Sequence, residues 1–359
     1  MAQRISEVAI SANAAWKITN DASKDALLDA ALRFVIHGGD ALPGKEELGV
    51  SEKNFCINLR TNREILDGAP PILAPIARFG DFCVVDRDEI EGYRSVQQLL
   101  RDYLQKREVT NPLSIAVFGP PGSGKSYGIQ SVAKSVDERQ TKLDYNLAQF
   151  SDPDQLSSAF LKVRNEATGN RVPIAFFDEF DSNLNGELGW LRYFLAPMQD
   201  GEVFFEGGRH KIGKAILVFA GGTTATFRAF GREEGSTEQD RFRFVEAKGP
   251  DFVSRLSGHI NVLGINRRDD LPDQSFVLRR AAVIRSQLVK LEKIGRQNRA
   301  LVDEQFISRL LQLGRYKHGA RSLTKVLEMC VGRDGQLHLP PTEQLMMHMD
   351  KSDSDTLTS

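Results

Sequence analysis

The chain has 359 residues, 41% of them hydrophobic, with a formal net charge of −1. That length carries two or three domains with cores of their own, and the balanced charge argues against a general polyanion binder. No apolar run approaches the roughly 20 residues that span a bilayer, and the opening Met-Ala-Gln-Arg-Ile-Ser-Glu lacks the apolar stretch of a signal peptide, so a soluble, cytoplasmic protein without a membrane segment is expected.

Residues 1–80 read as a separate, mostly helical recognition region of unknown fold. Ser23 caps a predicted helix through Ile36 with Leu28, Ala31, Leu32 and Val35 on one face, and Gly38-Gly39 ends it. Gly68-Ala-Pro-Pro-Ile-Leu-Ala-Pro reads as an extended connector, because three prolines forbid a regular helix there. Phe82-Cys-Val-Val gives a short strand, and Asp88 to Lys106 a helix with Val96, Leu99, Leu100 and Leu104 inward.

Residues 81–268 read as one domain, within which strand and helix alternate from 113 to about 265, the pattern of a parallel sheet with helices on both faces. Strands are predicted at 113–118, 143–147, 173–177, 215–220 and 259–263. The first runs into Gly119-Pro120-Pro121-Gly122-Ser123-Gly124-Lys125-Ser126, which is G-x-x-x-x-G-K-S between a strand and a helix. Glycines let successive backbone N–H groups turn inward around a phosphate chain, and the helix that follows presents its positive end to the same phosphates. Lys125 reaches the β- and γ-phosphates and the Ser126 hydroxyl holds Mg²⁺. The helix itself buries Ile129, Val132, Ala133 and Val136. A further helix starts after Ser151-Asp-Pro, and Gly201 to Ile212 forms a hairpin turning at Gly207-Gly208.

Pro173-Ile-Ala-Phe-Phe-Asp-Glu-Phe-Asp is an apolar strand ending in acids, about fifty residues past the glycine loop. Asp178 holds Mg²⁺ through its water shell or together with Ser126, and Glu179 polarises the attacking water. Asp181 is expected to begin the next helix rather than bind metal.

Residues 269–335 switch to helical period. Val277, Ala281, Ile284, Leu288 and Leu291 form one stripe; a second helix ends at Gly314, and a third runs from Gly319 to Gly332. Residues 336–359 read as a C-terminal tail, polar and disordered from Asp350. Cys56, Cys83 and Cys330 are odd in number and lack Cys-x-x-Cys spacing, so they read as buried thiols in a reducing compartment. Histidines 210, 259, 318, 338 and 348 show no ligand spacing.

On these motifs the chain, from about residue 85 to 333, resembles the AAA+ ATPase family, closest in spelling to Clp-type unfoldases. The resemblance implies a P-loop NTPase sheet followed by a small helical lid, with ATP and Mg²⁺ as ligands. It makes Thr223, in Ala-Gly-Gly-Thr-Thr after the fourth strand, the candidate sensor 1, with Thr224 beside it; a threonine capping the next helix is the plainer reading. Asp251-Phe-Val-Ser-Arg-Leu-Ser-Gly resembles the arginine-finger segment, so Arg255 enters a neighbouring copy's site, against the plainer reading of a surface arginine. Gly319-Ala-Arg resembles the start of the sensor 2 helix and gives Arg321 the phosphates as target. Val85 and Ile90 match the adenine-flanking region.

The resemblance also implies a homo-oligomer, most often a hexameric ring, that remodels an unidentified protein partner. A nucleotide-controlled assembly or signalling switch is the alternative. A nucleic-acid motor or loader lacks a basic, aromatic-rich segment to support it. The pore motif of threading unfoldases is missing: Phe150 reads as core, and Phe204 and Phe205 as cross-strand packing.

Overall fold

The computed structural model describes residues 24–37, 56–59, 72–80, 82–106, 109, 111–168, 171–233, 235–268, 273–295, 299–332 and 337–358. In chain order it begins with α1 (Lys24–His37), β1 (Cys56–Leu59), β2 (Ile72–Pro75), β3 (Ala77–Phe79), β4 (Phe82–Val84) and α2 (Arg87–Gln105). Then come β5 (Leu113–Phe118), α3 (Lys125–Val136), β6 (Lys142–Asn146), α4 (Pro153–Ala167), β7 (Ile174–Asp178), α5 (Leu191–Gln199), β8 (Glu202–Phe205), β9 (Gly208–Lys211) and β10 (Ile216–Ala220). Next are α6 (Phe227–Phe230), α7 (Glu238–Glu246), α8 (Gly249–Val253) and β11 (Gly258–Asn261). The last elements are α9 (Phe276–Lys290), α10 (Glu304–Gln312), α11 (Ala320–Cys330), α12 (Thr342–Leu345) and α13 (Lys351–Thr358). The chain divides into two compact units: Glu91–Leu263, and Met1–Ile90 joined with Gly264–Ser359.

The continuous unit is built on a five-stranded sheet in the order β11-β5-β10-β7-β6, every pairing parallel. All five predicted strands are present, with ends shifted by one or two residues. β5 and β10 are buried at every position, which is why they read as unbroken apolar runs rather than alternating ones. α3 buries Ile129, Val132 and Ala133, with Val136 only half-buried. α4 starts as predicted: Pro153 occupies its first turn and the Asp152 carboxylate accepts from Gln155 N. A phenylalanine cluster fills one face of the sheet, with ring centroids 4.9 Å apart for Phe194–Phe219, 5.0 Å for Phe219–Phe252 and 5.1 Å for Phe177–Phe194. Such edge-to-face pairs add about 0.5–1.5 kcal/mol each beyond the area they bury.

Phe150 packs against this core beside Tyr145 and Trp190, as its plainer reading expected. The β8–β9 hairpin is also present, but its turn sits one residue earlier than predicted: Glu206 and Gly207 take φ of 48° and 76°, and Gly208 already pairs with Phe205. Phe204 on this hairpin is 67% exposed, so cross-strand packing does not account for it.

The second unit corrects several expectations. α1 buries Leu27, Ala30, Ala31, Phe34 and Val35, while Leu28 and Leu32 are half-buried; its inward stripe is turned by about one residue from the predicted one. That stripe belongs to one core with Val277, Ala281, Ile284 and Leu288 of α9, Phe306 and Leu310 of α10, and Leu323 and Leu327 of α11. Residues on the two sides of the sheet unit therefore share a core, where the sequence places 1–80 and 269–335 in separate domains. Among its described residues the N-terminal region carries short strands as well as the helix α1. Ile72–Pro75, within the supposed connector, is a strand paired antiparallel with Cys56–Leu59, and Ala77–Phe79 pairs with Phe82–Val84. Ser23, Gly38-Gly39 and 68–71 lie outside the described residues.

α9 carries more than its apolar stripe. Arg279 pairs with Asp273 at 2.6 Å. Arg285 donates to Val35 O at 2.8 Å, satisfying a carbonyl in the last turn of α1. Arg280 is fully buried and donates to the carbonyls of Ile265, Leu311, Leu313 and Gly314, with Phe276 and Tyr316 rings 4.7 and 5.0 Å from its guanidinium. Burial lowers its pKa to about 10, so it stays charged at neutral pH. The tail is also ordered into helix α13: Leu357 and Ser354 are fully buried, and Asp353 accepts from Gly314 N at 2.9 Å and Arg315 N at 3.1 Å. Cys83 and Cys330 are free thiols pushed up by burial, to about 11 and about 12. Among the described residues no helix is long and apolar enough to cross a membrane.

Arg280→Ala leaves four carbonyls, three of them buried, without their donor and a void between two rings. It is expected to destabilise this unit by about 3 kcal/mol or more, read as a shift of the urea midpoint.

Candidate functional site

Three neighbouring strand ends of the sheet are level with one another. Ala220 of β10 is opposite Val117 of β5 on one side and Asp178 of β7 on the other. The pairing continues past the strands through Gly221 N to Val117 O at 3.0 Å and Glu179 N to Ala220 O at 2.9 Å. The loops that leave these ends, 119–124, 179–190 and 221–226, therefore start side by side at the carboxyl edge of the sheet.

The first loop turns on glycines. Gly119, Gly122 and Gly124 have φ of 152°, 74° and 90°, a region that side-chain-bearing residues enter at a cost. At Gly119 space is short as well, since a Cβ there would stand 2.5 Å from Val262 O and 2.9 Å from Ser123 Oγ. Pro120 and Pro121 have no N–H, and Ser123 N closes a turn onto Pro120 O at 3.2 Å. α3 begins at Lys125, so its first N–H groups have no acceptor within the helix. Lys125 Nζ donates to Gly119 O at 2.8 Å and to Pro120 O at 3.2 Å, folding the ammonium back over the loop. Ser126 Oγ donates to Asp178 Oδ1 at 3.1 Å, so the start of α3 is joined to the end of β7. A hydroxyl and a carboxylate side by side are hard oxygen donors, the set that Mg²⁺ takes alongside water and phosphate.

Beyond Asp178 the chain reverses sharply. Glu179 takes a left-handed conformation at φ 54° and is exposed, while Phe180 and Asp181 return to the interior at 0% and 2% exposure. Ser182 N bonds to Glu179 O at 2.9 Å and completes the turn. Contrary to expectation, Asp181 begins no helix, since α5 starts only at Leu191. Its carboxylate instead accepts from Gly222 N at 2.9 Å and Thr223 N at 2.8 Å, and also from the Thr223 hydroxyl. The sequence signal for this role was the second acid of Asp-Glu-Phe-Asp together with Gly221-Gly222, which approach closely: a Cβ at Gly221 would be 3.3 Å from Asp181 Oδ2.

Thr223, the sensor 1 candidate, is thus joined to the strand end through Asp181, while the Thr224 hydroxyl is buried and has no hydrogen-bond partner among the described residues. Helix capping falls to Thr226, which accepts from Ala229 N, not to Thr223. Arg255, just after α8, is held by Gln199 Oε1 at 2.9 Å and by the Asp251 carbonyl, with the Asp251 carboxylate at 3.6 Å. Gln199 had no signal in the sequence. Arg321, Val85 and Ile90 belong to the other unit. Arg321 is exposed in the first turn of α11, Val85 lies in the core containing α9, and Ile90 is 4% exposed.

The parallel sheet, the glycine loop opening α3, and Asp178 bonded to Ser126 on the adjacent structure settle the architecture. The fold is that of an α/β P-loop NTPase. Among solved structures the chain is similar to the Aeropyrum pernix ORC2 protein, described as ADPNP–ADP complexes, with 14% identity, TM-score 0.44, and coverage of 76% of this chain and 68% of that one. It is also similar to NtrX from Brucella abortus in complex with ADP, with 13% identity, TM-score 0.43, and coverage of 78% of this chain and 56% of that one. No protein-family model matches the chain, and no curated protein matches it.

Gly119→Ala forces a methyl onto Val262 O in a conformation alanine resists. A cost of about 2 kcal/mol is expected, seen as a melting temperature lower by about 5 °C.

Proposed function

We propose that the chain is an ATPase of the AAA+ family, Clp-like in its motifs, that binds ATP with Mg²⁺ and couples hydrolysis in a homo-oligomer to the remodelling of a protein partner. The observation that carries the reading is the 3.1 Å bond between Ser126 Oγ and Asp178 Oδ1, two residues 52 positions apart. It joins the end of a phosphate-binding loop to the end of a buried strand, which is where a nucleotide-bound cation is held.

In this reading Gly122, Ser123, Gly124 and Lys125 hold the phosphate chain by backbone N–H groups and the ammonium. Ser126 and Asp178 hold Mg²⁺, which neutralises charge on the β- and γ-phosphates when bound. Glu179 stands one residue beyond the cation ligand, on a turn that exposes its carboxylate, and there it orients the attacking water and takes its proton. Arg255 acts on the site of a neighbouring copy, leaving its Gln199 and Asp251 contacts to do so. Arg321 reads the phosphates from the helical lid. A hexameric ring, a cytoplasmic location and a recognition role for residues 1–80 are carried over from the resemblance. The apolar face of α1 is used within its own core, so recognition falls to other residues of that region.

Lys125→Ala is expected to abolish ATP binding in calorimetry. Glu179→Gln should bind ATP within a fewfold of the wild-type Kd and hydrolyse it at least about a hundredfold more slowly; normal turnover by Glu179→Gln would remove the base assignment.

Arg255→Ala is expected to be inactive alone and to regain turnover when mixed with Lys125→Ala, because each supplies the group the other lacks. Intact oligomers with no recovery on mixing would argue against a shared site.

A further inference from the structure

We propose that Asp181 is a positioning residue for hydrolysis: it fixes the Gly221–Thr224 loop as the surface against which Glu179 stands. The inference rests on the ATPase reading above and adds a residue to it. Both Asp181 oxygens are occupied. Oδ1 accepts from Gly222 N at 2.9 Å; Oδ2 accepts from Gly222 N at 3.1 Å, Thr223 N at 2.8 Å and the Thr223 hydroxyl. The side chain is 2% exposed and takes no ion pair among the described residues, so its charge is satisfied by these N–H and O–H donors alone. A buried carboxylate in that setting loses several kcal/mol of compensation if its donors move, which holds the loop in one place.

The loop so held runs beside Glu179. A Cβ placed on Gly222 would lie 3.4 Å from Glu179 Cγ and 3.9 Å from Asp181 Oδ1, so the bare Gly222 backbone forms the wall beside the Glu179 side chain. Glu179 itself stands on a left-handed residue whose N–H is tied to Ala220 O. Its backbone is fixed by the sheet, and its side chain is bounded on one side by the Asp181-anchored loop. The arrangement also assigns the two threonines. The Thr223 hydroxyl serves Asp181, and the Thr224 hydroxyl, buried and without a partner among the described residues, is the one that remains to be used. Asp181 thus acts through Gly222 and Thr223 and touches neither the phosphates nor the cation. Displacing a general base by a fraction of its contact distance costs rate while leaving phosphate binding on Gly119–Ser126 intact.

The test compares Asp181→Asn, Asp181→Ala, Thr223→Ser and Thr223→Val in the full-length chain, measuring ATP affinity by calorimetry, kcat and KM by phosphate release, and melting temperature. Asp181→Asn and Asp181→Ala are expected to keep the Kd for ATP within about threefold and to lower kcat by about ten- to a hundredfold. Thr223→Ser, which keeps the hydroxyl donor, should retain kcat, and Thr223→Val should lower it; Asp181→Asn combined with Thr223→Val should cost no more than the larger single effect. If Asp181→Ala does not fold, Asp181→Asn and the Thr223 pair carry the test. Wild-type kcat in folded Asp181→Asn, or losses of kcat and ATP affinity in equal proportion, overturns the inference while the ATPase reading stands, provided Lys125→Ala is inactive in the same assay. A wild-type chain that neither binds nor hydrolyses ATP overturns both.

Discussion

The register of three parallel strands is the constraint on which the candidate site depends. With Val117, Ala220 and Asp178 abreast, the glycine loop, the Gly221–Thr224 loop and the acidic turn must all leave the sheet at the same level. A slip of β10 by one residue would send every side chain of that strand to the opposite face. Phe219 would then leave the aromatic cluster it shares with Phe194 and Phe252, and Asp181 would lose Gly222 and Thr223. Core packing and site geometry are thus two consequences of one alignment.

The chemistry follows from what that alignment brings together. Lys125 and Ser126 stand at a helix start whose backbone donors lack intrahelical acceptors, an arrangement suited to anions. Asp178 is half-buried and bonded to the serine, while the next residue is turned outward by a positive φ. Adjacent carboxylates on one strand end thereby take different surroundings. The first faces the helix start, as the cation ligand of the proposed reading needs, and the second faces solvent, as the proposed base for a water proton needs.

The α/β part was legible because its signals are local. Glycines at fixed spacing, apolar runs of strand length and a cap before proline each report on a few neighbouring residues, and the five strands and the glycine loop lie within a residue or two of prediction. What could not be read depends on residues far apart in sequence. Asp181 looks like the start of a helix until Gly222 and Thr223 arrive from 41 and 42 positions away. Nothing local in the sequence marks Arg280 and Arg285 as interior residues of an apolar helix; carbonyls from α1 and from the end of α10 accept from them there. Lys-Ser-Asp-Ser-Asp-Thr-Leu-Thr contains a single apolar side chain and looks like tail; it is helical because Leu357 docks and Asp353 finds two backbone donors. The Thr223 and Thr224 assignment stayed ambiguous for the same reason, since only the carboxylate between the loops distinguishes them.

The composite unit has a consequence for how the molecule comes into being. Its core needs Phe34 and Val35 ahead of the sheet unit in sequence and Leu327 and Leu357 after it, so its contacts bridge the whole stretch between them. The sheet unit needs only the contiguous stretch Glu91–Leu263. During synthesis that stretch emerges complete while α9 and α10, which share a core with α1, are still untranslated, leaving the apolar side of α1 uncovered until they follow. A helix held open in that way is a natural client for a chaperone, and the emergence of α9 and α10 sets the moment at which it can be released.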